Sequence, residues 1–214
     1  MLHPINAVSR ELKMLLLNEG FIFFDFPEIV TTIDSFDNVS VAVENPTRDM
    51  SRTFYIDDLN ILRGHLTAQR NRTINDSEKI ASAIIGKVYR NCKEDNGHTL
   101  LSHQCEGVTS LYEISALGYK LFLDKIYFHF FGTLNGFINM PSFTPYASPA
   151  IVSYLICHNC NRVGCSLCRN TGRLSFAEGG VATINGKKVI SFCLSLDRFA
   201  LKLFGLSDSR KFYS

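Results

Sequence analysis

The sequence predicts an α+β fold, an antiparallel sheet flanked by helices. Three observations predict it. Two stretches with strand character, IASAIIGKVYRN and HQCEGVTSLYEI, bracket the polar, turn-rich CKEDNGHTLLS, as a strand–loop–strand hairpin requires. Apolar residues recur at helical spacing from about Ile5 to Glu19 and again in SALGYKLFLDKIYFHFFG. The last apolar run, SFCLSLDRFALKLFGL, reads as a strand feeding directly into a helix. An all-helical bundle has no use for the β-rich stretches, and strands alternating with helices in this way point to a mainly antiparallel sheet.

In chain order, Val8, Leu12, Leu15 and Leu16 form the apolar stripe of the first helix, which Gly20 stops. FIFFDFPEIV is aromatic-rich and suits a strand; residues 31–49 are polar and suit a loop with one short helix. SRTFYI reads as a strand ending at Asp57 and Asp58, and LNILRGHLTAQRNRTI as partly helical. IASAIIGKVYRN is one strand, or two parted by Gly86, with Arg90 near the loop entrance. The helix ended by Gly132 has Leu117, Leu121, Leu123 and Phe128 on a broad apolar face. PSFTPYASPAIVSYLI begins Pro-rich and ends as an apolar strand. Asp197 is placed to cap the last helix and Gly205 to stop it.

With 214 residues, 46% hydrophobic and 20% charged, the chain suits one globular domain, 1–214, with a sizeable core. A net charge of +2 argues against a protein that wraps nucleic acid by charge alone. Arg10, Glu11 and Lys13 break the apolar run near the N-terminus, so no signal peptide is expected, and no stretch has the length of a membrane helix. The expectation is a soluble, cytoplasmic protein without a membrane partner.

Four of the seven cysteines, Cys157, Cys160, Cys165 and Cys168, lie in CHNCNRVGCSLC as C-x2-C-x4-C-x2-C. Each pair can turn two thiolates onto one ion, and four thiolates suit a structural, tetrahedral zinc with no open position for catalysis. An iron–sulfur cluster is the other group such a set holds. Gly164 supplies the bend in the short spacer, and His158 is a spare ligand.

Several ordered segments resemble the catalytic domain of the phenylalanyl-tRNA synthetase α subunit. They are LHPI, SFDNVSVAVENPTRDMSRTFYI, GKVYR with His98 and HQCEG, PSFTPYASP, the cysteine cluster with Thr171 and Gly172, and LSLDRFALKLFGLSDSRKF. Together they span nearly the whole chain. The resemblance implies a class II synthetase fold with a small cysteine knuckle at 157–168. It also implies activation of phenylalanine with ATP and magnesium, transfer to tRNA, and a β-type subunit or a second copy as partner.

Carried over residue by residue, the resemblance makes Arg90 and Arg198 the catalytic arginines, planar forks suited to phosphate. It places His65, Thr67 and His103 near the amino acid, and Gln104 and Glu106 around its ammonium. His98 lies in the loop that meets ATP or the tRNA end; Thr144, Tyr146 and Ser191 border the side-chain pocket. The departures gather on one ligand. Cys92, Ser148 and Val152 stand where the family has acidic residues, and Cys193 and Ser195 where it has glycines; Ser102 stands where it has phenylalanine, as do Thr144 and Tyr146. The family's N-terminal tRNA-binding arm has no counterpart in this sequence. The expectation is therefore a paralogue with a degenerate ATP and magnesium site that keeps amino-acid or tRNA-end binding, with weak or no aminoacylation. The alternatives are an active phenylalanine–tRNA ligase α-type subunit and a structural partner that uses the synthetase dimer surface.

Overall fold

The computed structural model describes residues 3–74 and 79–213, so Leu2 of the LHPI segment lies outside the described residues. Alternation along the last strand sets out the architecture. In β9 (Lys187–Ser195), Phe192 and Leu194 are buried among helices, whereas Cys193 and Ser195 face a cleft on the other side. The neighbouring strand β5 (Leu101–Thr109) repeats the pattern, with Cys105 in the helical core and Gln104 and Glu106 on the cleft side. The sheet has one apolar and one polar face because its central strands are written that way.

Those strands lie in a seven-stranded sheet. Its order is β1 (Ile22–Phe23), β4 (Ala81–Tyr89), β5, β9, β8 (Arg173–Ile184), β7 (Ala147–Ile156) and β6 (Phe137–Thr144). Every pairing is antiparallel except that of β1 with β4, so the sheet is mixed rather than purely antiparallel. A two-stranded sheet of β2 (Ile29–Thr31) and β3 (Asn60–Leu62) stands apart.

Helix α1 (Pro4–Asn18) opens with proline in its first turn and buries Ile5, Val8, Leu12 and Leu16. Each such side chain contributes about 1.5–3 kcal/mol. It packs on α5 (Leu196–Leu203), which crosses β5 and β8, while α4 (Ala116–Phe131) lies over β7 and β8. Ser115 caps α4 by accepting from the Gly118 N–H at 3.0 Å, and Gly132, at φ 64°, ends it. Phe122, Phe192 and Phe21 stack where α4 meets the sheet. The short helices α2 (Thr32–Ser35) and α3 (Thr67–Asn71) and three single 3-10 turns, at Asp37–Val39, Pro46–Arg48 and Ser209–Phe212, complete the described elements. Among the described residues no helix is long and apolar enough to cross a membrane.

Several expectations change. FIFFDFPEIV is broken into β1 and β2, because the Arg63 guanidinium binds the Phe26 and Pro27 carbonyls and pins the chain between them. SRTFYI is a series of turns with a single bridge, Tyr55 to Ile61; the strand that pairs is β3 further on. Gly86 does not divide β4. It leaves room for Arg63, whose Nη2 would lie 2.3 Å from a Cβ there. Strand β8 and the start of β6 went unread in the sequence. On α4, Leu117, Leu121 and Phe128 are 50–57% exposed, and the buried face is instead Tyr119, Phe122, Leu123, Ile126 and Tyr127. Asp197 is no cap: it accepts a hydrogen bond from the His103 N–H at 2.6 Å and ties α5 to β5.

Candidate functional site

On the polar face a cleft of about 440 Å³ opens between the sheet, α3 and the loop that joins β4 to β5. Of the sequence-derived candidates, Arg90, Arg198, His98, His65, Thr67, Gln104, Glu106 and Tyr146 line it. His103, Thr144 and Ser191 do not. His103 is turned to Asp197, Thr144 donates to the Ala147 carbonyl at 3.4 Å, and Ser191 is fully buried. Of the departures, Cys92, Ser102, Tyr146, Cys193 and Ser195 line the cleft, whereas Thr144 and the β7 residues Ser148 and Val152 do not, so the departures fall on it only in part. The cleft also takes Arg70 and Glu178, for which the linear sequence carries no signal, since each is one polar residue in an otherwise ordinary segment.

At one end, Arg198 begins α5 beside Gly97 of the β4–β5 loop. A Cβ on Gly97 would lie 2.6 Å from the Leu167 carbonyl and 3.0 Å from Arg198 Nη1, so only glycine lets that loop close over the arginine. Arg198 Nη1 is buried and has no hydrogen-bond partner among the described residues. A buried guanidinium donor left open in this way has the chemistry to take an anion. Burial lowers the Arg198 pKa, yet a guanidinium stays charged. Arg90 stands exposed at the rim, held loosely to the Gly64 carbonyl at 3.3 Å. Burial and the Arg198 charge hold His98 below its ordinary value against the pull of Asp95.

At the other end, Glu106 is a buried carboxylate already committed to the protein. It accepts from the Leu66 N–H at 2.9 Å and the Thr67 hydroxyl at 3.0 Å, with Arg70 at 3.9 Å. Gln104 and Glu106 are both buried, unlike the polar residues of a solvated strand face. Gln104 Oε1 is buried and has no hydrogen-bond partner among the described residues, and Gln104 lines the cleft.

The lining carboxylates decide whether magnesium fits. Both oxygens of Glu106 are engaged, and both of Asp197 face His103. Glu178 accepts from Ser142 at 2.6 Å. Asp95, the acid near Arg198, is clasped by His98, by Arg169 at 2.6 Å and by the Gly97 N–H. Burial opposes its ionisation, but those donors hold its pKa well below the usual carboxylate range. Magnesium needs carboxylate oxygens turned toward the phosphates. At the Arg198 end every carboxylate already holds protein donors, so a magnesium ion held there would compete with them.

The cysteine knuckle fits a metal. The four Sγ atoms lie within 4.8 Å of one another, with separations of 3.7–3.8 Å between Cys157 and Cys165, Cys160 and Cys168, and Cys165 and Cys168. Four sulfurs about 2.3 Å from a tetrahedral ion would be about 3.8 Å apart. Backbone N–H groups of Gly164, Cys165 and Gly172 point at the sulfurs at 3.2–3.3 Å. Burial opposes ionisation of Cys165, but the Asn159 amide and backbone donors outweigh it and bring the thiol to about 6. Gly164 makes the expected bend at φ 108°, and Asn161, Arg162, Arg169 and Asn170 also hold positive φ. Such strain persists where the surroundings over-determine it, which a bound ion would do. His158 is not a ligand here; its Nε2 meets the Leu206 carbonyl at 2.9 Å.

Comparison with known proteins follows the same lines. Residues 1–214 match the family described as tRNA synthetases class II core domain (F). The phenylalanine–tRNA ligase α subunit of Lactobacillus johnsonii is 31% identical over 228 residues, covering 99% of this chain. That of Bacillus subtilis is 28% identical over 225 residues, again covering 99%. The chain spans 65% of the length of these curated relatives. A crystal structure of pyrrolysyl-tRNA synthetase from Desulfitobacterium hafniense superposes with a TM-score of 0.68 at 13% identity, over 96% of this chain and 71% of that one, a likeness of fold. With the sheet, the cleft and the whole-chain match agreeing, the protein belongs to the family of class II tRNA synthetase core domains, F type.

Proposed function

We propose that this chain, as one catalytic-type domain with the knuckle 157–168 inserted, is a phenylalanyl-type paralogue. It binds an amino acid and an adenine nucleotide but carries out weak or no aminoacylation. One observation carries the reading: the cleft keeps its arginines, while the carboxylates at the Arg198 end are spent on protein donors. Arg198 Nη1, buried and unpartnered, is suited to a phosphate oxygen, and Arg90 at the rim to the outer phosphates. Gln104 Oε1 is suited to the ammonium of the amino acid, with His65 and Thr67 beside it. Arginine forks alone can hold a nucleotide. Efficient adenylation also needs the developing charge on the pyrophosphate to be neutralised, which magnesium held by carboxylates would supply.

Zinc is the metal proposed for the knuckle, on the donor set. Since the curated relatives are named as α subunits, a β-type subunit or a second copy of this chain is the proposed partner and tRNA the proposed nucleic-acid ligand. The surviving arginines also favour the second reading, an active α-type subunit working with such a partner.

Calorimetric titration with ATP tests the nucleotide site. Binding is expected, with an affinity that changes less than about threefold when magnesium is added, because magnesium has few protein ligands to gain. Arg198→Leu is expected to lose at least about tenfold in ATP affinity while leaving the unfolding midpoint unchanged or raised, since it removes a buried donor that has no partner in the free protein. Tight binding that depends on magnesium would contradict the reading.

A further inference from the structure

The inner end of the cleft is polar where an aromatic side chain would need an apolar floor. Glu106, Cys193 and Glu178 lie side by side across three strands, in register on β5, β9 and β8. Arg70, 1% exposed, reaches the same floor from α3. Its guanidinium is already covered by the Tyr146 ring, 5.8 Å from the centroid, so a substrate ring finds that face taken. Phe176, the phenylalanine that borders the cleft, packs its ring against Tyr127, Phe137 and Phe199 behind the sheet.

Two further groups point the same way. The Tyr119 hydroxyl is fully buried and without a partner among the described residues, its ring lying against Gly179, the neighbour of Glu178 on β8. Ser191 Oγ, two residues before Cys193 on the same side of β9, is also buried and unpartnered. Glu178 is engaged at one oxygen by Ser142. An ionised carboxylate accepts at both oxygens, so the other retains acceptor capacity.

We propose that the subsite between Tyr146, Cys193 and Glu178 takes an amino acid whose side chain donates hydrogen bonds, through a hydroxyl, amide or amine, in place of the unsubstituted ring of phenylalanine. The proposal rests on the reading of the cleft as an amino-acid site. A phenyl group would strip water from Glu178 and leave its open oxygen without a partner. A site built to hydrogen-bond its substrate rejects analogues that lack the group by about 10⁴-fold or more. Glu178 is the specificity-determining residue, because its carboxylate is the acidic acceptor on that floor not already filled at both oxygens.

The test is calorimetric titration of the purified chain with phenylalanine, tyrosine, serine, threonine, asparagine, glutamine and lysine. At least one donor-bearing amino acid is expected to bind at least about tenfold more tightly than phenylalanine. Glu178→Ala is expected to bring that ratio to within about threefold by removing the acceptor. Glu178→Gln, which keeps the size of the side chain and one carbonyl acceptor, provides a variant that keeps the fold and is expected to weaken the preferred ligand relative to phenylalanine by less than Glu178→Ala does. Phenylalanine binding tightest, no amino acid binding at all, or a preference untouched by both variants would overturn the proposal. Failure of ATP to bind while the polar preference holds would sink the nucleotide reading and leave this one standing.

Discussion

Glu106→Ala is expected to lower the unfolding free energy by about 3–5 kcal/mol, the cost of leaving a buried charge without its counterpart. The pair it breaks is sealed: the Arg70 and Glu106 side chains are each 2% exposed. Glu106 also satisfies the Leu66 N–H and the Thr67 hydroxyl, so the change frees two donors at the start of α3 as well as the guanidinium. A neutral acceptor in its place, Glu106→Gln, keeps a partner for the Leu66 N–H and is expected to cost less. The sharper check is a double-mutant cycle. Arg70→Met with Glu106→Ala is expected to be more stable than Glu106→Ala alone, because the stranded cation is gone. Denaturant unfolding at neutral pH measures all four proteins. If the double variant is less stable by the sum of the two single losses, Glu106 is not balancing a buried charge.

Loss of the knuckle metal is the second large effect. Cys168→Ser is expected to bring bound zinc below about 0.2 equivalents, since a closed four-thiolate site tolerates no missing ligand. A stability loss of at least about 3 kcal/mol would lower the midpoint by about 6–12 °C for a chain of this size. The consequence reaches the cleft through a short path. Leu167, between two of the thiols, touches Gly97, and Arg169, next to Cys168, holds Asp95. Both contacts brace the loop that closes over Arg198. Hydrogen exchange at Gly97 and His98 is therefore expected to accelerate in Cys168→Ser and, without any loss of zinc, in Arg169→Ala. The exposed Arg169–Asp95 pair itself contributes little to global stability. Unchanged exchange in the zinc-free protein would separate the knuckle from the cleft.

Much of this was legible in the sequence, for physical reasons that also explain what was not. The thiol spacing is local, so four cysteines within twelve positions announced a thiol cluster that could hold a metal ion, and the four sulfurs do come together. Helix α1 carries a clean apolar stripe and a glycine stop, and its bounds came out within a residue or two. Helix α4 is apolar almost all round, so its period could not say which face turns inward, and Leu117, Leu121 and Phe128 were assigned to the wrong one. SRTFYI has strand composition, but pairing partners decide strands, and the partner went to β3. In the cleft, the arginines were read from the family's motifs. Arg70 and Glu178 were not, because what makes them matter is assembly: one comes from a five-residue helix and one from a strand that itself went unread, and only folding brings both to one cleft. The commitment of Glu106 and Asp197 to backbone N–H groups is likewise visible only once the strands are paired.

That commitment underlies the central claim, that the cleft binds its ligands without efficient activation. The most direct test is amino-acid-dependent exchange of labelled pyrophosphate into ATP, at saturating magnesium, across all the common amino acids, with the chain alone and with any cognate β-type subunit. The account predicts exchange at background for every amino acid under both conditions, together with measurable ATP binding. Robust exchange with any amino acid, phenylalanine included, would show that the cleft neutralises pyrophosphate although Asp95 and Asp197 are held by protein donors, and would contradict it.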